Sequence, residues 1–547
     1  MSATTSRWFS WVAIAGATLL LAACGTGGDG SAPAPSASQQ NTAGVRGGTL
    51  TVAIPSDVSS FFDWSARKEH ELEVIGLVFQ PLAVFDRVSQ AFVPALAASW
   101  TVLEGGRVIE FKLRPDARWD DGTPVTARDV LFTHRMQIAP EIDWVRRRDK
   151  QRIERVEAVD ERTVRFVFHE PYATNLFDAV AGAIYPAHAL ESFDAARLAD
   201  LAQQPPMPGN GLFRIGQHEA GQALELLASE THAGGRPFVD RIVFRVVPDK
   251  EARALMVESG EVDLLRAATV EQYERLTGPG KLPGFVVPVP KYFVIVWNTR
   301  REPLADGRVR RALALGLDRA RMVELTQRGR GELCNGPFPP DSWANWKRPP
   351  EPRNRAAAEA LLSEAGFERV GSDGIRVRGG ERLELALTIP AGSRTYGDLA
   401  ELIRRDLEPL GARVTVTPVE GTAMFDGMTR GEGQAWLIAE TAEEKADLTN
   451  LAHSSQAGPG GMNYSGYRSP EFDAVCDTAA VTLQREAARP LWIKAQEILA
   501  VDQPYTFLFL RPDLHVVRPR VKGVRIDASG LYFHVREWWV ADASGRS

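Results

Sequence analysis

Residues 383–416 constrain the fold more than any other stretch. Leu383, Leu385, Leu387 and Ile389 alternate with polar or small residues, the period of a half-buried strand. Across 396–410, Leu399, Ile403, Leu407 and Leu410 recur at the spacing of one helix face. Gly411 ends that helix, and Val414 and Val416 resume a strand. A strand, a covering helix and a returning strand predict parallel pairing in an α/β layer. An earlier run has the same character. It reads as strands over 223–227 and 241–247, then a helix over 249–258 with Ala252, Leu255 and Met256 on one side. Gly260 stops it, and a strand begins at Val262. Between the two runs, 292–298 (YFVIVWN) is continuously apolar, as in a strand buried on both faces. At 547 residues the chain exceeds one ordinary core, so two α/β lobes with further domains are expected.

The N-terminus sets the compartment. Arg7 precedes an apolar stretch over 8–21, followed by Leu21-Ala22-Ala23-Cys24. That is a short export signal, and Leu-Ala-Ala-Cys resembles the bacterial lipobox. The resemblance implies cleavage before Cys24, which would carry lipid and hold the protein on the membrane. Residues 25–47 are rich in Gly, Ser, Ala and Pro without periodicity, and read as a flexible tether. No later run reaches the ~18 apolar residues of a membrane span. Cys334 and Cys476 remain, in a compartment that permits disulfides. A bridge would close a long loop and contribute roughly 4–5 kcal/mol in the chain-entropy model. Their spacing leaves the pairing open.

Chemistry of other kinds is not asked for. The formal charge of −6 argues against nucleic acid or another polyanion as partner. Arg146-Arg147-Arg148 is the local exception and reads as a solvated face. There is no Gly-x-Ser-x-Gly elbow, phosphate-binding glycine loop, dinucleotide fingerprint or His-Glu-x-x-His, and the nine histidines are scattered. No catalytic residue, metal or cofactor is therefore assigned. A cell-surface hydrolase stays as the rival of a different class, and would need a nucleophile–base pair.

Residues 94–133 read as a strand–turn–helix unit. Gly105-Gly106 supplies a hairpin turn, residues 108–114 alternate as a strand, and Asp120-Asp121-Gly122 turns again. Thr126 and Asp129 fit a capping box for a helix beginning at 125–127. A strand pair follows over 153–159 and 163–168, with Thr163, Arg165 and Val167 on its wet face. The order LAxSW, a glycine turn, F-x-LR and W-x-DGxPxTAxDV resembles the peptide/nickel-type solute-binding proteins that serve ABC transporters. It matches at Leu96, Ala97, Ser99, Trp100, Phe111, Leu113, Arg114, Trp119, Asp121, Gly122, Pro124, Thr126, Ala127, Asp129 and Val130. Residues 207–215 resemble the family's P-x-GTGPY segment, with Asn210 for Thr and Leu212 for Pro. Asn298, Pro303, Asp306, Arg308, Val309, Arg310, Ala312, Asp318 and Arg319 match a further block, and a helix over 470–499 another. Asp306 is expected to cap its helix and pair with an arginine.

The resemblance implies an α/β, class II periplasmic-binding-protein fold of three domains. Beyond a signal at 1–23 and a tether at 24–46, the first lobe would comprise 47–85, 208–290 and 506–547. A smaller domain would comprise 86–207, and the second lobe 291–505, with the strand over 506–510 returning to the first lobe. It further implies capture of a solute, foremost an oligopeptide or dipeptide, and its delivery to an ABC permease by a monomeric lipoprotein. Nickel chelates, oligosaccharides, opines, heme and a sensor role are the alternatives. By the same resemblance the cleft is lined by 292–298 and by a loop over 434–447. That names Trp297, Asn298, Trp436, Glu440, Asp447 and Tyr464 as ligand-binding candidates. Glu440 or Asp447 would stand in for the aspartate that holds a peptide's amine in relatives. Trp297 as plain core and Tyr464 as a packing group are the alternative readings.

Overall fold

In the computed structural model, residues 44–200, 207–370, 372–442 and 444–541 are described. Cys24, the signal at 1–23 and all but the last residues of the tether lie outside them. Two large sheets organise the chain. In the first, seven strands run in the order Gly284–Val287, Asp513–Val517, Leu264–Leu265, Thr49–Ile54, Arg241–Val246, Ala223–Ala228, Phe213–Glu219. In the second, six run in the order Glu332–Leu333, Tyr505–Leu510, Lys291–Trp297, Ala435–Thr441, Glu384–Pro390, Arg413–Val419. The chain passes between them twice, through Pro288-Val289-Pro290 and through Arg511-Pro512. Proline fixes φ and donates no hydrogen bond, so strands end at both crossings.

The unit at 383–416 forms as its pattern requires. Glu384–Pro390 pairs parallel with Arg413–Val419, and the helix Arg394–Leu407 buries Leu399, Ile403 and Leu407 against them. Gly411 takes φ 81°, the left-handed stop at which a side chain is strained. A four-stranded antiparallel sheet carries the smaller domain: Ala97–Leu103, Val108–Leu113, Thr163–Phe168, Ile153–Asp160. The box at Thr126 closes, with the Thr126 amide donating to Asp129 Oδ2 at 2.8 Å. The path at 207–215 is tight as its glycines require, since a Cβ on Gly211 would lie 2.3 Å from the Leu77 carbonyl oxygen.

Four expectations change, and one left open is settled. The strand over 506–510 does not return to the first lobe. Tyr505–Leu510 pairs with Lys291–Trp297 in the second sheet, and only the chain beyond Pro512 crosses back. The helix over 470–499 is two, Pro470–Val481 and Arg485–Asp502, broken at Thr482. In the helix Lys250–Ser259 the buried face is Ala254 and Val257, while Leu255 is exposed. Thr163 and Val167 are buried, because the sheet is covered there on both faces. Cys334 and Cys476 are free thiols. Each packs as a small apolar group in the same core cluster, and burial pushes the Cys334 thiol up to about 12.

Candidate functional site

Three central strands of the second sheet meet on one rung. Tyr292 opposes Glu440 on one side and Leu510 on the other. This rung is the crossover end of the sheet, because Lys291 follows one crossing and Leu510 precedes the other. Cavities open here between the lobes. One of about 250 Å³ is walled by Phe85, Val286, Leu510 and the prolines of both crossings, with Arg87, Arg330 and Arg511 on it. A second of about 50 Å³ lies against Tyr292, Phe338, Glu440, Lys445 and Asp447. Lys445, Asp447 and Asn450 are shared with a third, polar cavity of about 390 Å³ under Arg148 and Arg152 of the smaller domain. Residues 440–442 and 444–450 thus wall a row of spaces running from crossover to smaller domain.

The candidates divide between the two ends of the sheet. Trp297, Asn298 and Trp436 stand at the far end, where the antiparallel register sets Trp297 opposite Ala435. All three are buried. Trp297 Nε1 donates to Thr506 Oγ1 at 2.8 Å. Asn298 Nδ2 donates to the Gly431 and Gly433 carbonyls at 3.0 and 2.8 Å, and Trp436 packs beneath Gly433. Their polar atoms and faces are used inside the fold, so they are core rather than ligand contacts. The segment expected as a loop at 434–447 is largely the strand Ala435–Thr441. Its last residues, not Trp436, reach the cavities. Asp306 caps its helix and pairs with Arg308 at 2.8 Å.

Glu440 lines the small cavity. Tyr464 is half-buried and packs edge-on to Phe425 with ring centroids 5.4 Å apart. Burial, with the Glu440 charge nearby, pushes its hydroxyl up to about 12. Asp447 is already claimed. Its carboxylate lies 3.4 Å from Arg152 of the smaller domain and accepts from the Thr449 amide at 2.9 Å. Lys445 reaches Asp149 at 2.9 Å and Asp178 at 3.6 Å, while Arg152 lies 3.5 Å from Asp178. Asp178 is fully buried, and its carboxylate oxygens sit at ion-pair distance without a hydrogen bond. Burial therefore wins over the Lys445, Arg152 and Lys150 cations and raises its carboxyl to about 6. Arg87 adds a further pair to Glu444 at 3.0 Å.

Apart from Asp447, sequence reasoning missed this cluster. Residues 146–148 drew attention as a charge run, but Asp149 and Arg152, just past it, make the contacts. Asp178 sits in no motif. Among the described residues no group of three or more His, Cys, Asp or Glu is placed to hold a metal ion, and no helix is long and apolar enough to cross a membrane.

Two α/β lobes joined by paired crossings, with cavities between them and a third domain alongside, define a two-lobed solute-binding protein. Residues 91–462 match the bacterial extracellular solute-binding proteins, family 5, and the chain belongs to that family. It is a family of binding proteins that serve transporters, not of enzymes. The oligopeptide-binding protein AppA of Bacillus subtilis is 25% identical over 506 residues, covering 91% of this chain and 92% of that protein. The AppA structure in complex with a nonapeptide superposes with a TM-score of 0.77 at 24% identity, over 91% of this chain and 100% of that one. NikZ of Campylobacter jejuni, in complex with Ni(L-His), gives 0.77 at 23% identity, over 90% and 99%.

Proposed function

We propose that this chain is an extracytoplasmic lipoprotein that captures a peptide between its lobes and delivers it to an ABC permease. The observation that carries this is the row of cavities at the crossover rung, with Glu440 on it and Asp447 withdrawn into the ion-pair cluster. A peptide's ammonium needs a carboxylate in a desolvated site, and Glu440 takes that role. The first lobe and smaller domain close on the solute by motion about the two crossings, which brings the Glu444–Asp447 segment against Asp149, Arg152 and Asp178. Ligand shifts the population toward this closed form, which docks on the permease as a monomer. Names of relatives support a peptide: an oligopeptide-binding protein and a di/tripeptide-binding protein of Pseudomonas aeruginosa are among them. The three-domain division is retained, with the second lobe extended through Leu510. No metal or cofactor is assigned.

Native mass spectrometry of freshly purified mature protein, followed by thermal-shift screening of peptides, tests the reading. A rise in melting temperature with peptides is expected. A rise only with a sugar or a metal chelate would establish the second reading, a non-peptide solute. That reading is favoured by Ala439-Glu440, which stands where relatives carry an aspartate. Cys24→Ser is expected to release the protein from the membrane with solute binding intact, and retention would remove the lipid anchor.

A further inference from the structure

A further cavity lies away from the space between the lobes. It holds about 210 Å³, its walls come entirely from the second lobe, and it shares no residue with the three cavities above. The chain makes it where the second sheet stops short. The edge strand Glu332–Leu333 pairs only with Leu510 and Phe509, so residues 505–507 have no strand on that side. Six prolines over 334–354 cannot donate to a ladder, and the chain loops over the gap instead of extending the sheet. Leu315 and residues 499–501 close the remaining walls.

Three arginines face this cavity, and they differ in what holds them. Arg311 pairs with Glu351. Arg319 spends its guanidinium on carbonyls, donating to those of Cys334 at 2.9 Å, Phe507 at 3.0 Å and Glu351 at 2.6 Å. Arg348 is exposed and has only the Trp346 ring, 5.5 Å from its guanidinium carbon. Among the described residues no carboxylate lies within ion-pair distance of Arg348, and Glu497, the other acid of the walls, is exposed. The backbone that carries Arg348 is fixed. Asn335 Nδ2 donates to the Arg348 and Pro349 carbonyls at 3.0 and 2.8 Å. Lys347 takes φ 57°, a left-handed conformation costly for a side chain, and its two neighbours Trp346 and Arg348 both line the cavity.

We propose that this cavity is a second binding site, separate from the solute cleft, for a small aromatic carboxylate. The carboxylate lies on the Arg348 guanidinium, whose planar donors match its two oxygens, and Arg319 adds a second positive charge to the wall. The ring lies against Leu315, Phe507 and the Trp346 indole. An apolar cavity of about 150 Å³ accepts benzene, so 210 Å³ leaves space for one ring and its carboxylate. An inorganic anion would leave the apolar walls unfilled. The site stands whether or not the solute of the cleft is a peptide.

Isothermal titration calorimetry of the whole mature protein with phenylacetate, phenylacetamide and inorganic phosphate tests it. Phenylacetate is expected to bind about tenfold more tightly than the amide and than phosphate. Arg348→Gln is expected to lose that tenfold, while peptides that raise the melting temperature of the parent still do so. Equal affinity for acid and amide, phosphate binding as tight as phenylacetate, or no binding at all overturns the inference. Loss of phenylacetate binding when a peptide fills the cleft overturns it as well, because the two would then share one site. Photolabelling of unaltered protein with 4-azidophenylacetate is expected to mark the segments around Trp346 and Val501, and label confined to the cleft would contradict the assignment. These arms use unaltered protein, so a variant that does not fold leaves the test intact.

Discussion

The crossover end of the lobe interface and the end beneath residues 86–207 are built from opposite materials. At the crossover end the two sheets are joined by continuous chain stiffened with proline, and the cavity there has apolar walls. Ion pairs also sit beside the crossings, with Lys291 binding Glu69 at 2.6 Å and Asp513 at 3.0 Å. At the other end the contact is charge on charge. Lys445 and Asp447 come from the second lobe, and Asp149, Arg152 and Asp178 from the smaller domain. On the proposed motion about the crossings, opening the lobes would leave the joined end intact and expose the second to water. Buried pairs are costly to assemble and costlier to leave half-made. The clasp is thus suited to an equilibrium that a solute tips, whereas the crossover is suited to holding its place.

The comparison can be broken at several points. Lys445→Met removes the cation shared by Asp149 and the fully buried Asp178, leaving Arg146 to the first and Arg152 to the second, and is expected to lower stability by about 3–5 kcal/mol in urea unfolding. Adding Asp178→Asn should recover part of that loss. Lys291→Met, at the crossover, removes a cation whose Glu69 partner is half-exposed and should cost about 1–3 kcal/mol. A loss there as large as at Lys445 would erase the distinction between the two ends. Acidity gives a smaller signal. The folded carboxyl of Asp178 is raised to about 6 from an ordinary value of 3.8, so the folded state holds this proton more tightly than the unfolded chain. Its contribution makes stability rise as pH falls from about 6 toward 4 and is lost as pH climbs through 6. Asp178→Asn should flatten that part of the profile of melting temperature against pH. Least of all, Arg148→Ala removes an exposed contact to Gln456 and should change stability by no more than about 0.5 kcal/mol.

Much of the fold was legible because local patterns and tertiary burial agree. The helix face at Leu399, Ile403 and Leu407, the stop at Gly411 and the box at Thr126 all follow from spacing or backbone geometry alone. The site was less legible, and the reason is directional. A continuously apolar strand such as 292–298 gives no sign of which end meets the cleft, and the aromatic and amide groups at its C-terminal end drew attention to Trp297 and Asn298. The antiparallel register places those at the far end and brings forward Tyr292, Glu440 and Leu510. Asp447 was visible as an acid, but its engagement by Arg152 joins residues 295 positions apart, which no local spacing reveals. The turn at 482–484 escaped for a related cause. Both flanking segments favour helix, and the break is where the smaller domain rests, with the Ala173 amide donating to the Ala480 carbonyl at 2.8 Å.

The most direct measurement of capture by closure is a spin-label distance between the smaller domain and the second lobe. Val145 and Val501 are exposed positions on these two parts, and Cys334 and Cys476 are buried away from label. In a Cys24→Ser, Val145→Cys, Val501→Cys protein, saturating trialanine is predicted to collapse a broad distance distribution to a single shorter one, and Lys445→Met to broaden it again. An unchanged distribution on adding a peptide that calorimetry shows to be bound would contradict the account.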